Sequence, residues 1–297
     1  MMIYYFIALL AAFTWSISSL ISADITREIG SIVFNRIRLF FVSLMLIAYT
    51  SYIGTWETLN INFIALILFS GFVGIFLGDT LLFMALQKLG PRRNNILFSL
   101  AAPFTVLLNI FFLNEIMNLY NLLGCFFVFF GVVIAIIYGN TSNNQHRWEI
   151  IEGSLFLGMI MGVLAAFCQA IGLIIMKPIL DSGVDPIASA AIRTTISFFL
   201  LSFTFFLKSP NFVSKTKINL FILLRILISG FLGMALGMSL LFIALQNADA
   251  GIVATLSSTS PIMILFLIWI ITYKIPTIGA WVGTLLAILG TGLIFIY

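Results

Sequence analysis

"GFVGIFLGDTLLFMALQ", from Gly71 to Gln87, returns as "GFLGMALGMSLLFIALQ", from Gly230 to Gln246. The two stretches agree at most positions at a constant offset of 159 residues, among them Gly71, Gly74, Gly78, Phe83 and Gln87. Each lies inside a longer apolar run. About 20 mostly apolar residues suffice to cross the hydrocarbon core as a helix. The repeat therefore reads as a membrane helix written twice. One difference carries charge: Asp79 in the first copy stands where the second has Met238.

Other landmarks repeat around this pair. Gly124, Gly131 and Tyr138 return as Gly283, Gly290 and Tyr297 at the same offset. Pro103 pairs with Pro261 after a one-residue slip, Ile37-Arg38 with Ile192-Arg193, and "LAAF" at 10–13 with "LAAF" at 164–167. Chance likeness of Leu/Gly-rich helices would explain one match, not the same order of landmarks along the chain.

Composition agrees with a lipid environment. The 297 residues are 62% hydrophobic and 8% charged, where a soluble domain carries roughly a quarter charged residues. Ten apolar spans are expected, at about 2–22, 30–52, 61–88, 92–113, 119–138, 151–178, 185–207, 218–246, 249–271 and 276–296. The longest polar stretch, "GNTSNNQHRWE" at 139–149, reads as a linker. It divides the chain into a first repeat, 1–138, and a second, 150–297. The fold class expected is all-α integral membrane, with ten transmembrane helices in two five-helix repeats. Five is odd, so the second repeat must enter the membrane in the opposite sense. Inverted repeats of this kind build many secondary transporters, with the substrate site between the halves near the midplane. The first span lacks a basic leader, since "MMIYYF" carries no Lys or Arg, so it is expected to be retained.

The residues also carry a family resemblance. Trp15, Arg38, Ala85-Leu86, Pro103, Glu115, Gly124 and Gly131, in that order, resemble the EamA domain of the drug/metabolite transporter superfamily. Arg193, Ala244-Leu245, Pro261, Gly283 and Gly290 repeat much of the pattern, and the resemblance covers nearly the whole chain in two tandem domains. It implies a ten-helix permease for small metabolites, often amino acids or related compounds, in some members by export. Tyr273-Lys274 stands where the second domain usually has an acid, which weakens a role for Glu115 shared by the halves and leaves it to cap or anchor a helix end.

Intramembrane charge marks the candidate site. A carboxylate deep in the bilayer costs about 2.5–3.5 kcal/mol on insertion scales. Asp79 sits about 7–8 Å from mid-bilayer at 1.5 Å per residue. Arg36 and Arg38 lie at about 4–8 Å on the same side, so an Arg–Asp contact between antiparallel second and third helices is allowed. The pair either lines or gates the pathway or is purely structural. Asp79, the one deeply placed acid, is also the candidate for proton coupling. Arg193 has no acid corresponding to Asp79 and either meets a substrate carboxylate or snorkels to the interface. Further polar candidates for the pathway are Trp15, Gln87, Gln169, Gln246 and Ser258 in "TLSSTSP". Pro103 and Pro261 are expected to interrupt helices near the midplane and free backbone carbonyls. The glycine stripes Gly71/Gly74/Gly78 and Gly230/Gly233/Gly237 read as close-packing faces.

The distribution of basic residues bears on orientation. If both termini face outward, Arg27, Lys88, Arg92, Arg93, Arg147, Lys208, Lys215, Lys217 and Lys274 fall on the cytoplasmic side and Lys177 alone faces out, as positive-inside bias requires. The resemblance implies the reverse. No nucleotide-binding motif of the G-x-x-x-x-G-K-[ST] type is present, so energy comes from an ion gradient, exchange or the substrate's own gradient. His146, the single histidine, lies in the linker, and Cys125 and Cys168 lie in apolar runs; no cofactor or metal is expected. The chain reads as a multi-pass protein of the plasma or inner membrane. Its partners are a small-molecule substrate and the bilayer, not nucleic acid; the sequence leaves the oligomeric state open and is compatible with a monomer. A channel, a non-transporting scaffold, and an enzyme on lipid-linked substrates are the alternatives. The last lacks the clustered catalytic groups it would need.

Overall fold

Polar caps punctuate the apolar runs. The side chains of Asn60, Ser154, Asp185 and Asn219 each accept a hydrogen bond from a backbone N–H of the helix that follows, which satisfies donors that a membrane helix start otherwise leaves unmet. Asn118 and Asn121 form a reciprocal capping box. The computed structural model describes residues 2–113, 118–138, 148, 150–204, 212–247, 256–257 and 259–296. Every regular element among them is helical: α1 Met2–Ile29, α2 Ser31–Ile53, α3 Ile61–Leu89, α4 Pro91–Phe98, α5 Ala101–Leu113, α6 Leu119–Ile137, α7 Leu155–Asp181, α8 Pro186–Phe203, α9 in contiguous pieces Leu220–Gly230, Phe231–Leu236 and Gly237–Asn247, α10 Ser260–Thr272 and α11 Ile278–Ile296, with a 3₁₀ turn at Thr55–Thr58. By length and composition, seven of them can cross a membrane (α1, α2, α3, α6, α7, α8 and α9), and α10 and α11 are shorter apolar helices.

Three differences from the sequence expectation stand out. α1 continues seven residues past the apolar span, to Ile29, because Asp24, Arg27 and Glu28 find counter-charges from distant segments. The expected fourth span is broken into α4 and α5 at Ser99–Leu100, so Pro103 stands in the first turn of a helix, where its missing N–H costs little. Pro261 likewise occupies the first turn of α10. Glu115, His146 and Ser258 lie outside the described residues.

The duplicated stretch has a shape of its own. α3 widens into π-helix over Gly71–Leu77, and α9 does so over Phe231–Leu236, the corresponding residues of the second copy. π-segments often mark functional sites in helices.

Helices at equivalent places in the two copies pack antiparallel. Gly124 of α6 meets Gly290 of α11, and Gly131 meets Gly283; a Cβ on Gly131 would stand 2.6 Å from the Gly283 carbonyl oxygen, and one on Gly290 2.6 Å from that of Gly124. Small residues permit this backbone approach. α2 and α8 cross in the same sense: Thr55 bonds Asp185 at one end, and the rings of Phe40 and Phe198 meet further along. The outer face of α6 presents Phe126 and Phe129, each 55% exposed, the apolar surface expected against lipid.

Candidate functional site

α3 and α9 each dock on the opposite half. Gly71 lies against the backbone of Arg193 in α8, and Gly230 against the Arg38 side chain of α2. Gly74 approaches Gly172 of α7, whereas Gly233 and Gly237 receive Ser18 and Trp15 of α1. Hydroxyls tie the same seams: Ser70 donates to the Gly172 carbonyl at 2.9 Å and Ser197 to that of Gly71 at 2.9 Å, while Ser22 and Ser229 bond at 2.6 Å.

The intramembrane charges converge at these seams. Arg38, buried, donates to the Asp79 carboxylate and, through Nε and a terminal nitrogen, to the Asn35 Oδ1 at 3.4 and 3.3 Å. Its guanidinium also lies 4.6 Å from the centre of the Phe83 ring, a cation–π contact. Asn35 reaches Thr80 in turn, at 3.4 Å. Of the two arginines within reach by depth, Arg38 makes the contact. Arg193 does not snorkel to an interface. It is 6% exposed, near the middle of α8, with its guanidinium in a notch between Gly74 and Gly172 and within Coulombic reach of Asp79. The physical reason is the two glycines, which leave room for the head group; a Cβ on Gly74 would crowd its terminal nitrogen at 3.0 Å.

The other candidates fall in different places. Trp15 lies half-buried against Gly237. Gln169 is half-buried on α7. Gln87 sits at the end of α3, where its side chain accepts from the Ser31 N–H at 3.2 Å and its carbonyl from Arg27 at 3.1 Å; it caps α2. The side chain of Gln246 lies outside the described residues.

A second charged cluster, not apparent from the sequence, lies at one end of the bundle. Arg225 of α9 pairs with Asp24 at 3.4 Å and Glu28 at 3.6 Å, and Arg27 pairs with Glu152 at 3.4 Å. Trp148 donates to Asp24 at 2.8 Å, and Arg27 to the Ile150 carbonyl at 2.7 Å. Asp24, Arg27, Glu28, Glu152 and Arg225 line a cavity of about 770 Å³. Pairing of Arg225 with Asp24 across some 200 residues leaves no local signature in the sequence.

An all-helical bundle with apolar outer faces and charges held inside is a multi-pass membrane protein. The comparisons with known proteins give its kind. The model of the EamA-like transporter family matches residues 2–137 and 156–296, and the chain belongs to that family. That family is described as one of transporters. One curated relative, the GDP-fucose transporter 1 of Monosiga brevicollis, is 27% identical over 161 residues, which is 52% of this chain and 45% of that protein. The match thus spans less than half of the relative's length. A solved crystal structure superposes with a TM-score of 0.69 over 98% of this chain and 95% of its own, at 14% identity; that likeness concerns the fold alone.

Proposed function

We propose that the protein is a secondary transporter that carries a small metabolite, an amino acid or related compound, across the cell membrane by alternating access. Ten crossings are arranged as inverted repeats, 1–138 and 150–297, joined by 139–149. The observation that carries this reading is the antiparallel, glycine-to-glycine packing of α6 on α11 at equivalent positions. Helices that correspond in sequence and run in opposite directions are what a duplicated unit inserted in opposite sense produces.

The cargo passes between the halves, where Arg38, Asp79 and Arg193 meet, with Trp15 on α1 and Gln169 on α7 as further contacts along the path. The seams at Gly71/Gly74/Gly78 and Gly230/Gly233/Gly237 are the surfaces on which the halves rock. The cluster of Asp24, Glu28, Arg225, Arg27 and Glu152 is the closed gate of one end, the cytoplasmic end if positive-inside bias sets the orientation. Partly exposed pairs of this sort contribute about 0–1 kcal/mol each, so they can open and close within a transport cycle.

Purified protein in proteoliposomes tests the reading by counterflow. A panel of amino acids, nucleosides, sugars and phosphorylated metabolites is offered, with GDP-fucose included for the relative's sake. Saturable uptake of a labelled compound, accelerated by the same compound trapped inside, is expected. Flux that is linear in concentration with no trans-acceleration would assign a channel instead.

A further inference from the structure

The charges at the seam do not balance. Among the described residues, Arg38 and Arg193 bring two positive charges to Asp79, which brings one negative. Arg38 is engaged: it holds Asp79, Asn35 and the face of Phe83. Arg193 is not. It is 6% exposed, and its Nε, buried, has no hydrogen-bond partner among the described residues. Asp79 acts on it through space without a hydrogen bond between them. A buried donor left unmade costs about 1–3 kcal/mol, more when charged, and an uncompensated charge away from water costs several kcal/mol more. Such a group persists where it has a task.

The surroundings fit that task. The guanidinium lies against backbone, at Gly74 and Gly172; a Cβ on Gly74 would come to 3.0 Å from its terminal nitrogen and one on Gly172 to 3.4 Å. Gly74 belongs to the π-segment of α3, at the contact between the two halves. The Nε edge of a guanidinium offers parallel N–H groups matched to the two oxygens of a carboxylate. Arg38 cannot offer that edge, because its Nε already donates to Asn35.

We propose that Arg193 is the specificity-determining residue for the cargo and receives one negative charge, a carboxylate on its Nε edge, which brings the site to neutrality. Asp79 is the internal counter-ion that the first half keeps on Arg38, so that the cargo meets the arginine of the second half. A doubly charged phosphate overshoots the balance and binds less well. Cations and neutral compounds leave Arg193 uncompensated. This rests on the seam between the halves being the transport site.

The test uses full-length protein in detergent and compounds of acetyl, isovaleryl and phenylacetyl body, each offered as carboxylate, neutral amide and amine at constant ionic strength. Phenylphosphonate is the dianion control. Binding is read by thermal shift and isothermal titration. The carboxylate of at least one body is expected to bind more tightly than its amide, its amine and the dianion. In Arg193→Gln the preference for carboxylate over amide should fall by roughly tenfold to a hundredfold, the worth of a charge-assisted hydrogen bond. Arg193→Lys keeps the charge without the fork, carries the test if the Gln variant does not fold, and should lose several-fold of the preference. A merely structural arginine would weaken all members alike. No carboxylate preference in the wild type, or one unchanged in both variants, overturns the proposal. Counterflow separates the two readings: anion-selective binding without transport removes the transporter, whereas transport of amides or amines with no carboxylate preference removes the role of Arg193.

Discussion

Gly131 of α6 and Gly283 of α11 lie back to back. A Cβ on Gly131 would stand 2.5 Å from the Ala287 nitrogen and 2.6 Å from the Gly283 carbonyl oxygen. These are backbone atoms in helices and cannot step aside singly. Gly131→Ala therefore has to spread α6 from α11, at about 1–3 kcal/mol for an overpacked contact. The expected result is a fall of several degrees in apparent melting temperature in detergent. Gly78→Ala is the control, because its Cβ would meet nothing closer than the Cys168 Cβ, at 3.3 Å. Equal losses in both variants would mean that the α6–α11 seam is looser than its geometry.

The buried charges yield an order of severity. Asp79→Asn leaves Arg38 and Arg193 facing one another with no acid between them, and loss of one partner from a buried pair costs about 3–5 kcal/mol. Arg38→Gln leaves Asp79 with Arg193 still in Coulombic reach, so it should cost less. The double variant should be less damaged than the sum of the singles. Thermal unfolding of the four proteins forms the cycle. Additive losses, or a milder effect of Asp79→Asn, would show that the three charges do not act as a unit.

Much of this arrangement is legible in the sequence, and the unread parts share a cause. The apolar runs mark where most of the helices lie, since length and composition suffice for that. Depth counting along α2 and α3 brings Arg38 to Asp79 before any contact is known. What it cannot supply is azimuth. Arg193 has the depth to snorkel, and only the pairing of Gly74 with Gly172, from helices nearly a hundred residues apart, leaves it a notch inside the protein. The extension of α1 to Ile29 depends on Arg225, Glu152 and Trp148 in the same way. Pro103 and Pro261 mark helix starts and not mid-helix kinks because the breaks come just before them, at Ser99–Leu100 and Thr259, which apolar periodicity does not register.

The gate proposed at the charged end of the bundle can be opened by charge. In Arg225→Glu, a carboxylate faces Asp24 and Glu28 where a guanidinium bridged them. Like charges at this separation repel by about 1–4 kcal/mol, depending on how much water reaches them. The probe is Cys168, half-buried where α7 meets Gly78 of α3, with Cys125→Ser removing the other thiol. Labelling by a membrane-impermeant maleimide should be several-fold faster in Arg225→Glu than in its parent. In the parent it should rise with salt, as screening weakens the pairs. A rate unchanged by both would mean that this end does not control access.

The two glycine stripes are alike in sequence but not in what they meet, and this gives the sharpest contrast between the halves. A Cβ on Gly237 would stand 2.5 Å from the indole Nε1 of Trp15 and 2.7 Å from its Cδ1, whereas one on Gly78, its counterpart, would find nothing closer than the Cys168 Cβ at 3.3 Å. Trp15 is a rigid plane held between α1 and α9, and Cys168 is small. Gly78→Ala should fit after a shift of a few tenths of an ångström and keep most of the counterflow rate. Gly237→Ala must push Trp15 or separate the helices, and its rate should fall at least several-fold with protein that still folds. Tryptophan fluorescence in a variant retaining Trp15 alone should shift only with Gly237→Ala. Equal rates for the two variants would mean that the α1–α9 seam does not move in the cycle, and the rocking would then have to be carried by α3 on α7 and α8.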